Sequence, residues 1–170
     1  REKEKRLAGE LVNSKLIAKW FREEVGKLKD GVKGFVFSGS ARTVEESKLN
    51  LNCLSEIYDR ESIVAVEIKL SEEEAVKRNS HRRICKANRH PIPNFPEYAD
   101  IKVCPKDGSE IITRELDKPE IIRERYQVYL KETAPVIDYF RQSGYKVVEI
   151  DGEQPIEKVF EDIKESLNRA

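Results

Sequence analysis

Apolar residues fall along this chain in two rhythms, helical stripes and short β-branched runs, and the two alternate. Residues 14–28, SKLIAKWFREEVGKL, place Leu16, Ile17, Trp20, Phe21, Val25 and Leu28 at steps of one, three and four, which predicts an amphipathic helix capped by Ser14 or Asn13. After the turn DGVKG, Phe35-Val36-Phe37 is a short apolar run of the kind a covered parallel strand produces. Thr43 with Glu46 three residues later is a capping-box pattern, and it opens a helix carrying Val44, Leu49, Leu51, Leu54, Ile57 and Tyr58. Residues 63–70, IVAVEIKL, predict a second strand, after which Ser71 and Glu74 repeat the cap for a helix beginning EEEAVKR.

Between 84 and 115 the periodicity disappears, and Pro91, Pro93, Pro96 and Pro105 accompany two cysteines. That stretch reads as an inserted flap. Helical spacing returns from Pro119 through Ile121, Ile122, Tyr126, Tyr129, Val136, Ile137 and Phe140, with Pro135 placed to kink it. Residues 145–150 predict a third strand, and Pro155 opens a last helix with Ile156, Val159, Phe160, Ile163 and Leu167 on one side. Strands that alternate with helices predict an α/β fold, a parallel sheet with helices on both faces and its chemistry at the carboxyl ends of the strands.

Charge narrows the choice of ligand. The 32 basic and 32 acidic side chains of the 170 residues cancel, so no overall field draws the chain to a nucleic-acid polymer or an anionic membrane. No apolar run approaches the roughly 20 residues needed to span a bilayer. Three cysteines without a secretory leader point to a reducing, cytoplasmic setting. The sequence holds no methionine and begins at Arg1 inside REKEKR, so a processed chain or an unseen upstream portion is expected.

The local chemistry lies in the arginines. Arg42 follows the first predicted strand, Arg78 and Arg82 sit four apart on one predicted helical face, Arg114 leaves the flap, and Arg125 comes eleven residues later. A guanidinium is always charged, and its planar fork fits phosphate oxygens two at a time. Five of them at strand exits and beside a flap are expected to converge on a polyphosphate. Cys53, among helical apolar neighbours, is expected in the core.

Several segments, in order and spacing, resemble the adenylate kinase family: GELV at 9–12, GFVFSGSART at 34–43, AVKRNSHRR at 75–83, RELDKPEIIRER at 114–125, then YLKETAPVIDYF and VVEIDGEQPIEKVF. The resemblance implies a P-loop kinase-type sheet with an inserted lid, incomplete at its N-terminus. Residues 1–30 would be the remainder of a monophosphate-binding segment, 31–83 and 116–170 core, and 84–115 the lid. It implies a monomeric nucleoside monophosphate kinase that moves phosphate reversibly from Mg2+-bound ATP to AMP, giving two ADP.

Carried over by position, Glu10, Leu11, Val12, Gly39, Ser40, Ala41 and Arg42 would form the AMP side, with Glu46 where the family usually has a base-reading glutamine. Arg78, Arg82 and Gln154 would face ATP, Arg114 and Arg125 would clamp the phosphates, and Asp117 would sit in the hinge after the lid. The family form of 38–43 is Asp-Gly-Phe-Pro-Arg-Thr, so Ser38, Ser40 and Ala41 are departures, and Leu116 replaces the first of two hinge aspartates. Ser38 supplies none of the countercharge that the aspartate lends to hydrated magnesium.

No G-x-x-x-x-G-K-[ST] occurs, and Gly26-Lys27 lies in a helical pattern. The resemblance puts the phosphate-cradling loop upstream of GELV. Little transfer by this polypeptide alone is therefore expected, and a catalytically inactive nucleotide-binding or regulatory module is the alternative. In the flap, Cys85-x-x-Asn88 and Cys104-x-x-Asp107 echo two pairs of zinc ligands. Cys85, Cys104 and Asp107 are the candidates; Asn88 breaks the pattern, His90 is the substitute ligand but stands two residues out of step before a proline, and a metal-free lid held by hydrogen bonds and apolar packing is expected.

Overall fold

A computed structural model describes residues 11–27, 34–92, 94 and 98–168. The chain divides into two compact units, Arg1–Lys69 with Val128–Ala170, and Leu70–Gln127. The lid expected at 84–115 falls inside the second.

The first unit is α/β. Helix α1, Ser14–Gly26, starts where the Asn13 side chain accepts from the Lys15 and Leu16 amides, and α2, Val44–Leu54, where Thr43 accepts from Glu46 N. A 3.0 Å contact between Ser14 Oγ and Thr43 Oγ1 ties the two helix starts together. Strand β1, Val64–Lys69, pairs in parallel with a later strand at Lys146–Asp151, from Val64 opposite Lys146 to Lys69 opposite Asp151. Their apolar inner positions join Phe21, Val25, Leu51, Cys53, Leu54, Ile63, Val136 and Phe140 in one core, where Cys53 was expected.

Residues 35–37 correct the expected first strand. They have no ladder partner among the described residues, and Val36 is 95% exposed. A parallel strand is held by its neighbour's amides, and apolar composition does not replace them. Here the ring of Phe37 packs on Phe21 at 4.4 Å and Phe35 meets Tyr58 edge-on at 5.9 Å.

In the second unit, α3 spans Glu72–Ser80 from a Ser71 cap. Three short strands follow, β2 (Arg83–Cys85), β3 (Pro91–Ile92) and β4 (Ile111–Ile112), forming an antiparallel sheet with β2 in the middle. A satellite core of Cys85, Ile92 and Cys104 lies beneath it. Helix α4, Pro119–Val128, carries this unit to its last residue, Gln127.

A π-helical turn, Tyr129–Thr133, then leads into α5, Ala134–Gln142, and the Ala134 amide reaches back to Tyr129 O. The wide turn sits where Pro135 has no N–H to give and its ring crowds the carbonyl of Lys131. The strand at Lys146–Asp151, β5, precedes α6, Ile156–Asn168. The stripe on one side of α6 is only partly covered: Ile156, Phe160 and Leu167 are exposed while Val159 and Ile163 are half-buried. The two parallel strands among the described residues, about 5 Å apart, offer too narrow a face to cover the whole stripe. Among the described residues, no helix is long and apolar enough to cross a membrane.

Burial separates two phenylalanines of similar sequence context. Phe140→Ala, at 8% exposure, is expected to cost about 3 kcal/mol or more, and Phe160→Ala, at 60%, within about 0.5 kcal/mol of nothing, as read from urea midpoints at constant slope.

Candidate active site

One buried carboxylate organises the arginines of the second unit. Asp117, 4% exposed, lies in a single 3-10 turn, Glu115–Asp117, at the foot of α4. Arg82 grips it with two bonds, Nη2 to Oδ1 at 2.6 Å and Nε to Oδ2 at 3.2 Å. Arg114 Nε stands 3.8 Å from the same Oδ2. Sheet register explains the meeting, because Ile84 opposes Ile112 and two further residues along put Arg82 across from Arg114.

Arg125 donates from Nη1 to Leu116 O at 3.5 Å. Burial lowers the pKa of Arg114, Asp117 opposes that, and the charges of Arg82, Arg89 and Arg125 lower it further. Arg82 and Arg114 thus share one carboxylate, with the charges of Arg89 and Arg125 acting on Arg114, and guanidinium forks of this kind suit phosphate oxygens.

Arg78 and Arg82 do not share a helical face. Helix α3 stops at Ser80 with His81 as its cap, so Arg82 leaves it to join the sheet end, while Arg78 Nε stays 2.7 Å from Glu74 Oε1 on α3. Arg89 had no periodic signal, since it sits in the turn between β2 and β3; its φ of 57° is rare for a side chain with a Cβ.

Arg42 belongs to the first unit, in the loop before α2. Gly39 has φ 73°, and a Cβ there would come within 2.8 Å of Arg42 Nη2, so only glycine fits without displacing the guanidinium. Arg42 Nε donates to Gly39 O at 2.8 Å, and Thr133 Oγ1 donates to Arg42 O at 2.8 Å. Leu11 and Val12 line an open cavity of 390 Å³ with Asn13, Ser14, Thr43 and Glu132. Glu46, expected near a base, is 3% exposed and turned toward Ser40 and Ala41. Gln154 Nε2 donates to Asp162 Oδ2 at 2.6 Å. Glu10 lies outside the described residues.

In the flap, the ligand atoms of Cys85, His90, Cys104 and Asp107 all fall within 4.8 Å of one another. His90, two residues out of step in the sequence, is brought in by the β2–β3 hairpin, where Cys85 N bonds His90 O at 3.0 Å. Its Nδ1 is 3.4 Å from Cys104 Sγ and 3.2 Å from Asp107 Oδ2. Asn88 serves as a support, donating Nδ2 to Asp107 Oδ2 at 2.8 Å and its amide to Cys85 Sγ at 3.2 Å.

Bonds from Asn88 and from the hydroxyl and amide of Ser109 hold the Asp107 carboxyl far below its usual range. Burial pushes the Cys85 thiol up, but the Ser109 hydroxyl and Asn88 amide outweigh it and the net pKa is lowered; at Cys104 burial prevails and the pKa is raised. Two sulfurs, an imidazole and a carboxylate at this spacing fit a tetrahedral Zn2+.

No protein-family model matches the chain. It is 36% identical over 163 residues to the adenylate kinase of Petrotoga mobilis, covering 91% of this chain and 70% of that protein. Against the adenylate kinase of Thermosipho melanesiensis it is 38% identical over 162 residues, covering 94% and 72%. Against that of Archaeoglobus fulgidus it is 35% identical over 164 residues, covering 95% and 73%. An α/β core with a parallel pair and an inserted arginine-bearing flap is the architecture of a P-loop kinase-type phosphotransferase. The chain belongs to the adenylate kinase family of nucleoside monophosphate kinases.

Because Asp117 is the shared countercharge, Asp117→Asn is expected to lower stability by about 2 kcal/mol, the scale of a lost charged hydrogen-bond pair. Added sulfate should raise the melting temperature of this variant more than that of the wild type, because the arginines left behind then have an anion to bind. Parallel thermal melts with and without sulfate check both.

Proposed function

We propose that this polypeptide binds ATP and AMP and carries the phosphate-gripping half of the reaction ATP + AMP ⇌ 2 ADP, acting as a monomer. The observation that carries the reading is the sharing of one buried carboxylate by Arg82 and Arg114, with the charges of Arg89 and Arg125 close by. Transfer of a phosphoryl group asks for little covalent chemistry. Positioning, and charge aimed at the equatorial oxygens, supply most of the rate.

In this reading Arg114 and Arg125 grip the group in transfer, Arg82 and Arg78 face the ATP side, and Asp117 keeps Arg82 and Arg114 turned to their task. Arg42 binds the phosphate of the monophosphate, whose nucleoside rests against Leu11 and Val12. Mg2+ arrives as part of the ATP substrate, and Ser38 adds no charge for it. The backbone beside Gln154 lies along the ATP base.

The second reading, a nucleotide-binding module without turnover, is favoured by Ser38 and Leu116, each standing where the family form has an aspartate. Coupled ADP formation, alongside titration with a dinucleotide polyphosphate that spans both substrates, separates the two. Negligible turnover is expected of this chain alone; tight binding with turnover by a version extended by a glycine-rich lysine loop and its strand supports the kinase, and tight binding without turnover by that version supports the module. Turnover equal to that of a version extended by a glycine-rich lysine loop and its strand would refute the impairment. Arg125→Ala is expected to weaken the bisubstrate ligand by about tenfold or more, the scale of one charged hydrogen-bond contact.

We also propose that Cys85, His90, Cys104 and Asp107 hold Zn2+ as a structural ion that stiffens the flap. Bound there, it would supply folding energy and no chemistry in the reaction. Protein purified without chelator is expected to carry about one zinc per chain and His90→Ala less; chelation should lower the melting temperature. Wild type free of metal would reject the assignment.

A further inference from the structure

The loop before α2 enters the left-handed region at two points, Gly39 at φ 73° and Ala41 at φ 59°. Glycine accepts such an angle freely, whereas alanine in the left-handed region pays roughly 1–2 kcal/mol in steric conflict. Something must hold Ala41 there. Glu46, the third residue of α2 and 3% exposed, accepts from the Ala41 amide at 2.5 Å, and its Oε1 is 3.4 Å from Ser40 Oγ. Asn50, a turn further and 4% exposed, donates Nδ2 to the same Ser40 Oγ at 3.0 Å. A carboxylate so deeply buried is tolerated only when bonded, and the first turn of α2 adds its own favourable dipole.

The position of this clamp gives it a purpose. Ala41 is directly followed by Arg42, so the dihedral that Glu46 secures is the one that aims the arginine. Proline, the residue at 41 in the family form noted above, has no amide hydrogen to offer; alanine creates a donor, and the carboxylate at 46 takes it. The two departures, at 41 and 46, form one hydrogen bond. A carboxylate spent on the loop is turned away from reading a nucleobase.

We infer that Glu46 is a positioning residue, which acts through Ala41 to hold Arg42 toward a nucleotide phosphate and does not select the base. This rests on Arg42 being a phosphate ligand.

The test uses the full chain as wild type, Glu46→Ala and Glu46→Gln, titrated calorimetrically with AMP, GMP and adenosine, together with hydrogen exchange at the Ala41 amide in the absence of ligand. Glu46→Ala is expected to weaken AMP and GMP equally, by about tenfold, the scale of a charged hydrogen bond, and to leave adenosine unchanged. Its Ala41 amide should exchange faster. Glu46→Gln keeps an acceptor oxygen and should restore affinity to within about twofold.

A change in the AMP-to-GMP ratio in either variant would make Glu46 a base reader and overturn the inference. So would an Ala41 amide that exchanges at the wild-type rate in Glu46→Ala. Should the wild type bind AMP no better than adenosine, the phosphate reading of Arg42 fails on its own, and Ala41 exchange still decides whether Glu46 holds the loop.

Discussion

A guanidinium cannot shed its charge, so each one brought near another adds repulsion that the fold must offset. In the second unit that offset is Asp117, almost wholly buried, held by two bonds to Arg82 and close to Arg114. Short strands, the hairpin and the start of α4 all serve to bring these three residues to one place. The compensation is incomplete, because a single carboxylate meets more than one positive charge, and on the proposed function this shortfall is what a nucleotide's phosphates fill. A lysine in place of Arg82 would lose the forked grip, because its ammonium is one point charge without a plane.

Much of this was legible from spacing alone. The caps at Asn13, Thr43 and Ser71, strands β1 and β5, and the disturbance near Pro135 follow from local chemistry that each segment carries within itself. What could not be read depends on distant partners. The run at 35–37 has the composition of a strand, but a strand exists only with a neighbour to bond it. Arg82 looked like the next helical position after Arg78, and only the β2–β4 pairing, 28 residues apart at Ile84 and Ile112, pulls it off the helix. The faces of α6 were correctly amphipathic, yet how much of a stripe is covered depends on the width of the sheet beneath it.

The flap teaches the same lesson in metal-site chemistry. By linear spacing Asn88 spoiled a ligand pair and His90 was out of step, whereas the hairpin turn curls the chain so that His90 faces Cys104 and Asp107. Asn88 donates to Asp107 Oδ2, the same oxygen that faces His90, while Ser109 holds Oδ1. Glu46 shows a similar gap between position and role. Alignment to a family motif said where the residue stands, and the left-handed alanine beside it says what its charge is occupied with.

The second unit leaves and re-enters the chain at neighbouring points: Tyr126 Oη donates to Leu70 O at 3.1 Å and Gln127 Nε2 to Glu72 Oε2 at 3.2 Å. An excursion tied at its own neck can be lengthened, shortened or exchanged at little entropic expense, because loop closure grows only with the logarithm of its length. Whole flaps, with or without cysteines, could therefore be grafted at residues 70 and 127 while the pairing of β1 with β5 survives. Divergence among relatives should accumulate inside that neck sooner than around it.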